Sequence, residues 1–368
     1  MSLTNNLFNP RIGAAQIKLL ERLCSACAVS GDEGEVRVIV KEQLRSYSNE
    51  VKTDVLGNVL VTRIGQGEER ARVMLTAHMD EVGFMITHDD GHGYFRFETI
   101  GGIDERLLPG KPVWIGHQHL PGVIGIKPIH LTSDEELKKT FSIDSLRIDI
   151  GPGGDSKIKV GDRAMFTPSF KQLSPDGSRP IESLSAKALD NRLGVATLIE
   201  LVKHAPSNID LLAAFTVQEE IGARGARVAA YNFHPDLAIV IDSTPAMDLP
   251  TWDGIENAQY NTHLGAGPAI YIADNGTLSD PRLVRHLVET AEKFAIPFQM
   301  RQPGRGSTDA GAVHRVREGI PSISVSIPSR YAHTPAGLCR ISDWKNTYTL
   351  LYRALSCLTL DILAGKLK

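Results

Sequence analysis

Residues 210–226 read DLLAAFTVQEEIGARGA. A short, continuous apolar run such as 211–217 suits a strand buried on both faces, the habit of parallel sheets. It stops at Gln218, and Glu219 and Glu220 follow at once. A glutamate pair taken alone is most simply a solvated loop. Beyond the carboxyl end of a central strand it means more, because that edge is where open α/β sheets bind their ligands. The question is whether other strands end the same way.

They do. RVMLTA (72–77) ends in His78-Met79-Asp80-Glu81, and LAIVI (237–241) ends in Asp242-Ser243-Thr244. SISVSIP (322–328) leads through Ser329-Arg330-Tyr331 to His333. Between these runs lie segments with helical spacing: 190–205 (entered by Asp190), 222–233, 281–295, 310–319 and a long terminal stretch, 344–367. Two more helices are predicted near the start, over 13–28 and over 30–47, the second beginning near Ser30 or Asp32. Residues 50–65 alternate like a hairpin with Leu56-Gly57-Asn58 at its turn. Helix–strand alternation implies an α/β fold, a mostly parallel mixed sheet with helices on both faces.

From about residue 84 to 170 the texture changes to short strands and turn signals, as in GYFRFETIGG and KPVWIGHQHLPGVIGIKP. This reads as a small β-rich, barrel-like domain, 87–170, inserted between 1–86 and 171–368, which together form the larger domain. The balance of the chain, with net charge −3 over 368 residues, lacks the basic field that nucleic acid or an anionic membrane surface requires. No apolar segment approaches the roughly 20 residues that span a bilayer. Cys24 and Cys27 have C-x-x-C spacing, but no second pair completes a zinc site. Within a helical pattern they read as two small buried residues sharing a face. Few cysteines and a first segment without a basic start and apolar core lead to the expectation of a cytoplasmic protein.

The strand ends and the helix beginning at Asp190 bring together two imidazoles and several carboxylates. His78, Asp190, Glu220, Asp242 and His333 suit a borderline ion such as Zn²⁺ or Co²⁺, with Mn²⁺ also compatible. Five ligands exceed the needs of one ion and suit two, about 3.5–4 Å apart and bridged by a carboxylate. Asp190 is expected to bridge, although an aspartate at a helix start also serves as an N-cap. Asp80, two residues beyond His78 on an extended chain, shares its direction and is expected to accept its ring proton. Adjacent residues at a strand end diverge, so Glu220 is assigned to metal and Glu219 to the general base. Gly222 lets the chain turn close by.

AHMDEVGFMI, ALDNRLGVA, TVQEEIGARGA, VIDST, STDAGAVH and RYAHTPAG resemble, in order and spacing, the M42 family of di-metal aminopeptidases. These are glutamyl and tetrahedral aminopeptidase-like enzymes whose members were once taken for endoglucanases. The resemblance spans nearly the whole chain, inserted domain included. It implies that His78, Asp190 and Asp242 hold one ion and Asp190, Glu220 and His333 the other. It further implies Glu219 as base, Asp80 as orienter, a cis peptide at Asp190-Asn191, and a homo-oligomer, commonly a dodecamer built from dimers through the inserted domain. Two departures stand out. The family's H-S-P-x-E becomes His333-Thr334-Pro335-Ala336-Gly337, and GGTDA becomes Gly306-Ser307-Thr308-Asp309-Ala310. Ser307 and Asp309 are candidate substrate-binding residues.

The leading expectation is therefore a metallo-aminopeptidase that removes N-terminal residues from short peptides. A deacylase or carboxypeptidase-type amidohydrolase would need a strongly basic pocket, for which Arg301, Arg305 and Arg330 are available. A metal-stabilised oligomeric scaffold would have no use for Glu219. A glycoside hydrolase would need two carboxylates and no histidines.

Overall fold

A computed structural model describes residues 8–48, 50–138, 142–152, 157–174, 182–249 and 262–364. Four strands form the centre of an eleven-stranded sheet: Ile209–Thr216, Ala71–His78, Leu237–Pro245 and Ser322–Arg330, parallel to one another in that order. All are buried along almost their whole length, which explains why their sequences run apolar rather than alternate. The flanks are antiparallel. Val59–Arg63 and Glu50–Thr53 close one side; Gly337–Arg340, Ser183–Ala186 and Lys171–Leu173 close the other. The sheet is thus mixed; a further short pair, Ala269–Tyr271 with Gln299–Arg301, is parallel and joins Ser322–Arg330 antiparallel.

The helix Leu189–Lys203 is buried almost throughout and packs with Ala14–Ser25, Gly34–Leu44 and Ile341–Ser356 on the sheet. The opposite face is covered by Arg224–Phe233, whose Ala226, Ala229, Ala230 and Phe233 join Leu60, Met74, Leu212 and Ala238. Six short strands between Gly83 and Phe166 form a closed antiparallel barrel. Phe84, Phe95, Phe97 and Phe166 fill it, with edge-to-face ring pairs centred on Phe84.

Several local expectations change. The first helix ends at Ser25, so Cys27 lies beyond it and does not share a helical face with buried Cys24. The second begins at Gly34, because the Ser30 hydroxyl is committed to Asp80 Oδ2 at 2.6 Å instead of to a cap. The terminal helix stops at Ser356, and a separate turn, Asp361–Ala364, follows. The 310–319 segment is helical only over Ala310–Val313.

A buried ionic cluster joins the sheet to the helix that carries Asp190. Glu81 accepts from Lys187 Nζ at 2.7 and 2.8 Å and from Arg192 Nη2 at 2.8 Å, all three side chains at most 5% exposed. Arg192 also donates to the carbonyls of Met79, Asp80 and Leu23. Removing one member of such a cluster strands the others without a counter-charge. Glu81→Ala is expected to lower unfolding stability by about 3–5 kcal/mol, as read from urea denaturation.

Candidate metal centre and active site

The carboxyl ends of the parallel strands converge as the sequence suggests. Thr216 pairs in register with His78, and Asp242 pairs with Ser326 on the next strand. His333 lies three residues beyond Ser322–Arg330. Gln218 takes a left-handed φ of 57° directly after the strand, and Gly222 sits at φ 119°, so the chain doubles back and leaves Glu219 and Glu220 facing the other strand ends.

What holds that turn is Asp80. Its Oδ1 accepts the Glu219 amide at 3.0 Å, and its Oδ2 accepts the Glu220 amide at 3.2 Å and the Ser30 hydroxyl. His78 Nδ1 meets the Asp80 carbonyl at 3.1 Å, and the Asp80 carboxylate lies further off, at 3.6 Å. The backbone oxygen, not the carboxylate, is therefore the nearer partner of the His78 ring. The carboxylate is engaged mainly in shaping the Glu219–Glu220 turn.

Asp190 stands between the two imidazoles. Its Oδ1 is 3.3 Å from His78 Nε2, and its Oδ2 is 3.5 Å from His333 Nε2. Asp242 Oδ1 lies 3.6 Å from His78 Nε2, and Glu220 Oε2 lies 3.3 Å from His333 Nε2. Glu219 Oε2 is 4.0 Å from His78 Nε2. The five groups thus divide into two sets that share Asp190. The chain around Asp190 is not helical (ψ 104°), and the Asp190–Asn191 peptide is cis. Nor does Asp190 act as an N-cap: its Oδ1 is buried and accepts no hydrogen bond. That orphaned oxygen, amid imidazoles and further carboxylates, fits a divalent cation.

Sequence reasoning missed several supports. Asn191 donates to the Ile241 carbonyl at 2.8 Å and accepts from Gly194 N at 3.0 Å, fastening the start of the helix to the strand that carries Asp242. Gly102 of the barrel accepts from His333 Nδ1 at 2.7 Å, which turns Nε2 inward. Asn58, read only as a turn residue, bonds both Val217 N and the Gly225 carbonyl. A bifunctional amide in a turn gives no signal in sequence that a distant strand will need it.

The site opens into a cavity of about 570 Å³, lined by His78, Asp190, Glu219, Glu220, Asp242 and His333 and walled by Tyr271, Arg301, Arg305 and Ser307. Ser307 reaches the cavity as expected. Asp309 does not: it is buried behind the wall, where its Oδ2 accepts the Thr216 hydroxyl at 2.6 Å. Of the three arginines, Arg330 is paired with Asp248 at 2.7 Å and lies off the cavity. Arg301 is buried over the Tyr271 ring and donates to Thr244 and to the Ala273 and Arg305 carbonyls. At Gly337, a Cβ would meet the Ala186 carbonyl oxygen at 3.1 Å, so this strand pairing is too tight for the family's acidic side chain without adjustment.

Burial pushes the Asp242 carboxyl up to about 7 and raises Glu220, and it holds Glu219 well above the carboxylate range. For His333 burial acts downward, but Asp190 and Glu220 overcome it and raise the ring to about 11. Burial would also raise Asp190, yet the two imidazoles keep it far below its ordinary value. Protons therefore supply the positive charge that a metal would otherwise bring.

Comparison with known proteins places the chain in a family. The chain matches the profile of the M42 glutamyl aminopeptidase family over residues 57–350. It is 35% identical to the FrvX protein of Escherichia coli strain K12, covering 94% of this chain and 96% of that one. It is 32% identical to the lysyl aminopeptidase of Pyrococcus furiosus, covering 90% and 94%. This chain belongs to the M42 family. M42 enzymes are metal-dependent, and the chain is accordingly a peptide-bond hydrolase of the aminopeptidase type. Among solved structures, a TET aminopeptidase from a marine-sediment thaumarchaeon superimposes with a TM-score of 0.89 at 31% identity, covering 95% and 98%. The dodecameric TET1 enzyme of Pyrococcus horikoshii gives 0.79 at 30%, covering 94% and 100%. Among the described residues no helix is long and apolar enough to cross a membrane.

Coordination requires unprotonated ligands. His333 is an imidazolium below about 11, and Asp242 carries a proton below about 7. Ion uptake must expel both, so affinity is expected to fall as pH drops below about 11 and more steeply below about 7, where Asp242 adds its proton to that of His333. Calorimetric titration of the chelator-treated protein with Zn²⁺, in buffers of different ionisation enthalpy, reads this directly.

Proposed function

We propose that this M42 chain is a two-metal aminopeptidase acting on short peptides. The observation that carries the reading is Asp190, which turns one carboxylate oxygen toward His78 and the other toward His333. His78, Asp190 and Asp242 would hold one ion, and Asp190, Glu220 and His333 the other. Imidazole and carboxylate donors suit Zn²⁺ or Co²⁺, and Mn²⁺ is compatible. Ions held there would supply Lewis-acid activation of water and of the scissile carbonyl.

The chain's own residues do the rest. Glu219, buried beside His78 with its amide anchored by Asp80, takes a proton from the attacking water and passes it to the leaving amine. Asp80 acts through others: it sets the Glu219–Glu220 turn and, with its carbonyl, the His78 ring. A cavity of about 570 Å³ accommodates a few residues rather than a folded chain, and Ser307 on its wall is placed to contact them.

Of the three arginines that the deacylase alternative would use, Arg330 is paired away from the cavity and Arg301 is engaged with backbone and Thr244, which leaves Arg305 on the wall. Release of free amino acid from short peptides, half of them N-acetylated, separates the readings. Metal-dependent cleavage confined to free amines is expected, whereas cleavage confined to acylated members would replace the proposal. Glu219→Gln is expected to reduce turnover about 10²–10⁴-fold while metal content stays at the wild-type value. Asp190→Asn is expected to lose ions as well as activity.

The inserted unit, 87–170, is proposed to join copies of the chain into a homo-oligomer; the Pyrococcus horikoshii relative is a dodecamer. Ile126, Ile129, Leu131 and Leu137 expose apolar surface on its excursion between barrel strands. Joint Ile129→Asp and Leu131→Asp substitution is expected to reduce the assembly mass measured by light scattering; an unchanged mass would locate the contact elsewhere.

A further inference from the structure

Away from the strand ends, a second group of ligand-type side chains meets where the barrel touches the larger domain. Cys27, Glu35 and His119 bring a thiol, a carboxylate oxygen and a ring nitrogen within 4.8 Å of one another. They come from three pieces of chain. Cys27 lies in the connection between the first two helices, Glu35 in the first turn of Gly34–Leu44, and His119 in the turn joining barrel strands Pro112–Ile115 and Leu120–Gly125.

The arrangement is more ordered than a chance surface pair. Glu35 Oε2 accepts the Cys27 amide at 2.9 Å, which sets the carboxylate beside the thiol, and Oε1 faces His119 Nε2 at 2.6 Å. His119 adopts a left-handed φ of 52°, uncommon for a residue with a side chain. Its ring lies flat on the Trp114 indole, with centroids 4.9 Å apart and planes 7° apart. All three residues are half-buried, and a small cleft beside them is also lined by Asp32 and His117, whose Oδ2 and Nδ1 lie 3.8 Å apart. Arg163 lines that cleft too, but its Nε and Nη1 donate to the Ser30 and Gly161 carbonyls.

A His–Glu hydrogen bond alone would explain the 2.6 Å contact. It would not explain why the ring is pre-set by stacking and backbone with a thiol as the third vertex. Sulfur, imidazole and carboxylate together favour a borderline-soft ion of the zinc class over Mg²⁺ or Ca²⁺. We propose that Cys27, Glu35 and His119 form an additional divalent-metal site of the zinc class, tying the barrel to the larger domain. The fourth position falls to water.

This site is independent of the catalytic assignment, yet mechanically near it. Ala28 N donates to Glu81 Oε1 at 3.3 Å, and the Ser30 hydroxyl donates to Asp80, so an ion on Cys27 would stiffen the loop that supports the active-site turn. Burial and the neighbouring Glu35 hold the uncoordinated Cys27 thiol up at about 12. Ion binding therefore displaces its proton to solvent, as coordinated thiols require.

The test uses cobalt, because the proposed catalytic ligands contain no sulfur. The full-length protein, stripped by chelator and reloaded with Co²⁺, is expected to show a sulfur-to-cobalt charge-transfer band in the near ultraviolet. The band should vanish in Cys27→Ser and fall sharply in His119→Ala, while His333→Ala retains it. Cobalt content should drop by one ion per chain in Cys27→Ser, with far-ultraviolet circular dichroism confirming that the variant is folded. A fully loaded wild-type protein without the band, or a band that persists in Cys27→Ser, would overturn the proposal. Either result leaves the Glu219→Gln and Asp190→Asn experiments to judge the catalytic centre separately.

Discussion

The geometry of the candidate centre depends on one buried carboxylate. Asp80 follows the strand that carries His78 and accepts the amides of Glu219 and Glu220 from the neighbouring strand's end. Buried carboxylates are costly unless their oxygens are satisfied, and Asp80 meets that condition by ordering the turn on which the proposed base and a proposed ligand sit. Glu81, the next residue, does the same toward the helix, pairing with both Lys187 and Arg192. Two consecutive acids thereby lock three elements together, and His78, Asp190, Glu219 and Glu220 sit on the elements so locked.

Such a framework gathers negative charge in a confined space, which a fold does not do without compensation. In the protein alone, protons and the His78 and His333 rings provide it, because burial first, and neighbouring carboxylates after it, displace Glu219, Glu220 and Asp242 upward. A site built this way has a standing electrostatic demand for cations. The orphaned Asp190 Oδ1 marks where that demand is sharpest. The hydrophobic barrel contributes at a distance by lending Gly102 to His333, so the smaller unit helps complete the centre.

The sequence was most informative where physical constraints act locally. Apolar runs ending abruptly in His78, Glu219–Glu220 and Asp242 placed the parallel core and its functional edge, because strands buried on both faces have no polar pattern to obscure them. The change of texture near residue 84 marked the β-rich part through short strands, some of them alternating, and closely spaced turn signals. Boundaries governed by remote partners were not legible. Ser30 leaves its expected role near the second helix because Asp80 claims its hydroxyl, and Cys27 leaves the first helix for the neighbourhood of Glu35. Asp309, equally plausible as a cavity residue in one dimension, turns away to Thr216.

By itself, then, the sequence determined the class of fold, the edge at which chemistry gathers, and the residue types gathered there. Those properties follow from periodicity and from the end of each apolar run. Only the tertiary structure decided that Asp190 faces both imidazoles, that Asp80 serves two amides more than a histidine ring, and that Cys27 meets His119. Each of these is a contact between residues far apart in the chain, and its geometry is set by packing, which no local pattern encodes.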